Sequence, residues 1–199
     1  MGASSLKRLL NTAALAAAFV FAACATAPEV HVEPPANGDL PWSAAELLAS
    51  TRKGQKWSYV ANFVNKNPKR NDHLDLRPHR TAIEIGDVDD AGFTVTYTDF
   101  EQASGKPMSQ DSRLTWEQRL SQLREAISGT SEPTVTRETV DVPAGSFDCW
   151  LYEFERKDAD LFTGRNRLWL VRKMPGVLAK MEITNEEFTI TTELSDIAP

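Results

Sequence analysis

The sequence predicts an α+β domain that is mostly β: a single curved antiparallel sheet of about eight strands, half-barrel-like, with a helix packed on its concave face. Three observations predict it. Segments alternating apolar and polar residues recur through residues 57–98 and 134–194, the period of half-buried strands. The turns between the later segments are too short for anything but antiparallel neighbours. One segment, residues 114–128, carries the helical period instead, with Trp116, Leu120, Leu123 and Ile127 on one face.

The chain has 199 residues, enough for one domain with an appendage. Lysine and arginine number 22 against 28 acids, a net charge of -6. That balance argues against a nucleic-acid partner. Two cysteines are too few for a disulfide framework or a four-cysteine zinc site.

Residues 1–23 read as a signal peptide. Lys7 and Arg8 form a cationic start, and an apolar run from Leu9 to Ala23 follows, of about signal-peptide length. That run is shorter than the ~20 residues of a membrane-spanning helix. It ends Phe21-Ala22-Ala23-Cys24. Small residues directly before a cysteine resemble the lipobox of bacterial lipoproteins, with Phe21 departing from the usual aliphatic residue. The resemblance implies lipidation of Cys24 and cleavage before it. The alternative is an ordinary secretory peptide cut near Ala23. Two or more acyl chains anchor a protein firmly where one does not. Ala25, rather than Asp, follows the cysteine, which by analogy with enteric sorting implies the periplasmic face of the outer membrane. Cleavage would remove Lys7 and Arg8 and no acid, moving the net charge from -6 to -8. Cys149 would remain as the single thiol besides the anchor, placed by its neighbours in a packed strand.

Residues 24–41 read as a flexible tether. Pro28, Pro34, Pro35 and Pro41 oppose helix and sheet. Such a segment reaches up to ~50 Å from the bilayer. The single periplasmic α+β domain is expected over 42–197. Ser43 and Glu46 form a capping box for a first short helix, which Gly54 ends, and Trp42 is placed to staple onto Leu47. Strands follow at 57–64, 81–85 and 93–98, with 65–78 a polar loop and 86–92 a turn-rich hairpin loop. Thr115 and Gln118 cap the second helix, whose other side is assigned Arg119, Gln122, Arg124 and Glu125. Strands at 134–142, 147–156, 165–172, 177–184 and 188–194 complete a meander. Pro143-Ala144-Gly145 and Pro175-Gly176 mark its turns. Phe147, Cys149 and Leu151 share one face, and Trp150, Tyr152 and Phe154 the other. Strands apolar on both faces are covered on both, or line a cavity.

The run Val140-Asp141-Val142-Pro143-Ala144-Gly145-Ser146-Phe147-Asp148-Cys149, followed by paired strands and a Trp169…Pro175-Gly176 segment, is similar to bacterial periplasmic domains of the DUF3108 kind. The resemblance implies the open, curved sheet of the LolA/LolB lipoprotein carriers, which hold acyl chains between sheet and helices. It carries over no individual ligand-binding residue.

Candidate chemistry is sparse. His73, Asp75 and His79 offer metal-ligand types, but in a proline-containing loop that pins none of them. Asp87, Asp89 and Asp90 have the look of a calcium loop, yet Ala91 and Thr98 stand where that loop needs an oxygen ligand and a glutamate. Glu153, Glu155, Glu182, Glu186, Glu187 and Glu193 read as solvent-facing strand positions. Lys66, Lys69, Arg70, Arg77 and Arg80 make a locally basic stretch. Hydrolase, P-loop and dinucleotide fingerprints are absent. The expectation is therefore a non-enzyme without cofactor or metal. Trp57, Trp116, Leu120, Trp150 and Trp169 are the candidates for the wall of an apolar-ligand cavity; alternatively, these aromatics fill a core. The two functions that follow are a membrane-anchored binder of an acyl chain or lipid, and a structural envelope lipoprotein acting on a protein partner.

Overall fold

The computed structural model describes residues 33–36, 38–67, 77–100, 107–157 and 163–198. The signal peptide, Cys24, most of the tether, His73 and Asp75 lie outside them. Pro34–Pro199 forms a unit separate from Met1–Glu33, and all that follows concerns the former.

The capping box of Ser43 and Glu46 opens α1 (Ala44–Ser50). The Ser43 hydroxyl accepts from the Glu46 amide (3.3 Å), and the Glu46 carboxylate accepts from the Ser43 amide (2.8 Å). Trp42 does not staple onto Leu47. It is buried among Trp150, Ile127 and Leu168, because the chain before α1 runs across the far half of the sheet. Four strands follow: β1 (Lys56–Asn65), β2 (His79–Asp89), β3 (Gly92–Phe100) and β4 (Pro107–Thr115). After β4 comes α2 (Trp116–Ala126), then β5 (Thr134–Val142), β6 (Gly145–Arg156), β7 (Gly164–Val171), β8 (Leu178–Thr184) and β9 (Phe188–Ala198).

The nine strands form one curved, open antiparallel sheet in the order β4-β3-β2-β1-β9-β8-β7-β6-β5. Two local meanders, β1–β4 and β5–β9, are joined where β1 pairs with β9 along ten residues of β1. The connection from β4 to β5 must therefore travel from one sheet edge to the other. Helix α2 makes that crossing, so it lies over a face of the sheet.

Two expectations are corrected. The strand β4 was not foreseen, because Pro107-Met108-Ser109-Gln110-Asp111 is exposed on an edge and shows no apolar alternation. Polar edge strands of this kind discourage pairing with other chains. The expected loop 86–92 is mostly strand: a bulge between Ile85 and Val88 absorbs Gly86 and Asp87, and the turn shrinks to Asp90-Ala91. Gly92 must be glycine, since a Cβ there would lie 2.0 Å from the Leu114 carbonyl oxygen.

Register fixes the faces. Trp150 pairs with Leu170, and Tyr152 with Leu168, on the side that carries both helices. Leu151 pairs with Trp169, and Cys149 with Val171, on the opposite side. The β5–β6 hairpin turns back over that opposite side, with the Ala144 amide donating to the Leu194 carbonyl (3.1 Å). Val140, Val142 and Phe147 thereby pack on Cys149 and Trp169. Both apolar faces of the middle strands are thus covered, one by helices and one by the sheet itself.

Candidate functional site

The helical face of α2 was legible, and Trp116, Leu120 and Leu123 are all buried against Ile85, Phe93 and Val95. Thr115 caps the helix through a reciprocal box with Gln118. Trp116 is held twice more. Its ring sits 4.9 Å from that of Phe93, and its indole N–H donates to the Asp89 carbonyl (3.1 Å).

Between the helices and the β1–β4 half of the sheet lies a cleft walled by Trp57, Ile83, Ile85, Phe93, Val95 and Trp116. Leu47 of α1 and the Pro175-Gly176 turn close one side of it; Tyr59, Tyr97 and Arg119 complete the lining. Its enclosed volume is about 40 Å³. That is room for a few waters, well short of the ~300 Å³ at which small-molecule pockets begin.

Arg119 corrects the helical-wheel assignment. It sits three residues after Trp116 and one before Leu120, and at that spacing it turns toward the cleft rather than solvent. One of its terminal nitrogens donates to the Gly176 carbonyl (2.9 Å), linking α2 to the β7–β8 turn. Among the described residues no carboxylate pairs with it. Burial pulls its pKa below the usual arginine value, opposed by Tyr97 and Tyr59 nearby. Tyr59 is itself buried, and that burial pushes its phenol up to about 12.

The five cavity candidates separate. Trp57 and Trp116 line the cleft, and Leu120 is buried behind them in the same cluster. Trp150 belongs to the neighbouring cluster on the same face, under Trp42 and Ile127. Arg172 lies over its ring at 4.8 Å. Trp169 is on the opposite face. Arg167 and Lys180 cover its ring at 4.6 and 5.6 Å, and its indole N–H donates to Glu138 (3.0 Å). It is 2% exposed, with these two cationic heads over its ring and Cys149, Leu151 and Val171 in the same cluster.

The acids mostly serve structure. Asp89 accepts from the amides of Ala91 (2.9 Å) and Gly92 (3.0 Å) and pairs with Arg113 (2.6 Å). It caps the β2–β3 turn. Asp87 pairs with Lys53 at 2.7 Å in full solvent. Glu153 bridges to Arg165 (2.7 Å) and Arg167 (3.1 Å), and Glu193 to Lys180 (3.1 Å), forming cross-strand ladders. His79 opens β2 and lies 3.0 Å from Asp99. Among the described residues no three metal-ligating side chains converge. In the same set, no helix is long and apolar enough to cross a membrane.

Cys149 is fully buried, and that burial, together with Asp148 and Glu138, pushes its thiol up to about 12. A nucleophile needs the opposite shift. Asp148 beside it is held below the usual carboxylate range. Burial works against this, but hydrogen bonds from Arg137 and Arg172 outweigh it.

No family model matches the chain, and no curated protein matches it. Among solved structures it is similar to a protein assigned as a lipoprotein from Parabacteroides distasonis, with a TM-score of 0.44 and 12% identity over 74% of this chain and 96% of that one. It is also similar to a domain assigned as an outer membrane lipoprotein-sorting protein from Vibrio parahaemolyticus, with a TM-score of 0.28 and 9% identity over 78% of this chain and 93% of that one. Similarities of this size carry no argument about what the chain binds.

Proposed function

We propose that this chain is a lipid-anchored protein of the bacterial outer membrane, held by Cys24 at the periplasmic face, which takes up an apolar chain between its helices and the β1–β4 half of its sheet. The reaction is burial alone, without bond making or cofactor. The observation that supports it is the cleft: an apolar wall from three strands, closed by a cover that is weakly built. Helix α1 has seven residues and buries only Leu47, and isolated helices this short have no stability of their own. The enclosed 40 Å³ requires the cover to swing out before a chain enters. Displacement of that cover would add volume along walls that are already apolar.

A second reading rests on that same small volume. A filled core suits a structural lipoprotein that works through its acidic surface on a protein partner. Native mass spectrometry after incubation with phospholipid and fatty acid separates the two. An adduct released by organic solvent, with quenching of tryptophan by a brominated acyl chain, supports the binder. A clean apo mass with unquenched tryptophan moves the assignment to the structural protein. The anchor is tested separately: Cys24→Ser should leave the membrane fraction, and its retention there refutes the lipobox.

A further inference from the structure

We infer that Arg119 makes the cleft selective for amphiphiles with an anionic head, a carboxylate or a phosphate monoester on a single apolar chain. This rests on the proposed uptake of an apolar chain at the same site.

The argument starts from what Arg119 lacks. A guanidinium carries five N–H donors in a planar fork. Only one contact is made here, to the Gly176 carbonyl. Elsewhere in the domain, arginines in partly buried positions find acids: Arg137 and Arg172 share Asp148, and Arg167 reaches Glu138, Glu153 and Glu182. Acids outnumber bases 28 to 22 in the chain, yet among the described residues none is placed against Arg119. A half-buried cation without a counter-ion costs stability. The carbonyl contact to Gly176 offsets part of that cost, but a leucine or methionine at the position would avoid it altogether.

The placement of the charge is informative as well. Arg119 lines the cleft with the apolar wall, the buried Tyr59 and the Pro175-Gly176 turn, and near it Tyr97, 38% exposed, marks a solvent-facing rim. A phenol is uncharged at neutral pH, so Tyr59 supplies no counter-charge, and the hydrogen bond that Arg119 makes goes to Gly176 instead. An amphiphile laid along Phe93, Val95 and Trp116 would bring its head to this rim. Arginine is suited to carboxylate and phosphate because its fork matches two oxygens at once. The ligand head would take over the donors that Gly176 leaves unused. Competition for the donor now held by Gly176 would also loosen the tie between α2 and the β7–β8 turn. Head recognition and opening of the cover then use one side chain.

The net charge makes the test sharper. A chain at -6 repels anions over its surface as a whole, so a preference for anionic ligands has to come from a local site. Residues 34–199, the compact unit, are titrated with dodecanoate, dodecyl phosphate and dodecanol, following tryptophan fluorescence. The expected result is at least tenfold tighter binding of both anions than of the alcohol. Arg119→Met should bind all three alike, at the dodecanol level, with an unchanged far-ultraviolet circular dichroism spectrum. Arg119→Lys should keep part of the preference, as a charge without the fork. Equal binding of the three by the unaltered protein, or a preference that survives Arg119→Met, overturns the inference while leaving apolar uptake standing. Binding of none of them overturns the uptake reading itself. Inorganic phosphate alone at millimolar concentration should not displace dodecanoate; displacement would make this a free-anion site and overturn the amphiphile assignment.

Discussion

Replacing Trp116 by alanine tests how much of the hold of α2 on the sheet comes from this one side chain, beside Leu120 and Leu123. Trp116 is 7% exposed, stacks at a tilt on Phe93, and donates its indole N–H to the Asp89 carbonyl. Truncating a buried tryptophan of this kind costs ~3–5 kcal/mol in transfer and cavity terms. The hydrogen bond adds ~1 kcal/mol, since its loss leaves the Asp89 carbonyl to find water. Trp116→Phe isolates that smaller part: it keeps most of the apolar contact with Phe93 and loses the donor, for an expected ~1–2 kcal/mol. Urea unfolding followed by circular dichroism at 220 nm reads both without relying on the remaining tryptophans. A loss below ~1 kcal/mol for Trp116→Ala, or equal losses for the two variants, would refute the reasoning. It would mean that α2 is held by its crossing geometry and not by this anchor. A double-mutant cycle with Phe93→Ala should show coupling of ~0.5–1.5 kcal/mol.

Four further outcomes are expected. Cys149 should stay unmodified by a thiol reagent at pH 8 in the folded protein and react fully in denaturant; fast reaction in the native state would contradict its burial. Because the native Cys149 thiol and Tyr59 phenol hold their protons up to about pH 12, the unfolded chain releases protons first as pH rises past ~9. Stability should therefore be flat in these groups below pH 9 and fall between pH 9 and 12, visible as a declining Tm; a Tm that holds constant through pH 11 would argue against it. Gly92→Ala forces a Cβ into the Leu114 carbonyl and should cost at least ~2–3 kcal/mol by thermal melting; a neutral substitution would show that the β3–β4 hairpin gives way easily. Tyr152→Phe removes the hydroxyl that donates to the Asp39 carbonyl at 2.7 Å. It should cost ~1 kcal/mol and speed proteolysis around residues 36–41; an unchanged cleavage pattern would mean that Leu40 and Trp42 alone hold this segment.

Features with a local cause were legible in the sequence. The two capping boxes, the apolar stripe of α2, the alternation in residues 93–98, the two apolar faces of 147–154 and the Pro143-Ala144 turn all depend on residues within a few positions of one another. Backbone sterics and hydrogen bonding act at that range, so the pattern is written in the chain. Even there, exposure hid β4: an edge strand has no buried face, and without one the apolar period vanishes. The loop expected at 86–92 failed for a related reason, since a bulge stabilised by the Gly54 and Gln55 backbone extends β2 beyond its own signal.

Everything concerning the site depended on pairing between distant segments. No local signal says that β1 pairs with β9, yet that pairing joins the two meanders and sends α2 across the sheet. Trp57 and Trp116 come to line one cleft as a consequence, while Trp169, equally aromatic in sequence, falls on the opposite face under Arg167 and Lys180. Arg119 was assigned to solvent because its type is polar. Its position relative to Trp116 already placed it near the apolar stripe, but only the packed turn at Gly176 gives it a partner and a depth. Local pattern was enough for both helices, their caps and most strands, though not for β4 or the end of β2; which of these elements share a space was set by pairing between distant segments. Alternation and capping are energies between neighbours along the chain, whereas a cleft is made by surfaces that meet only after loop closure has brought them together.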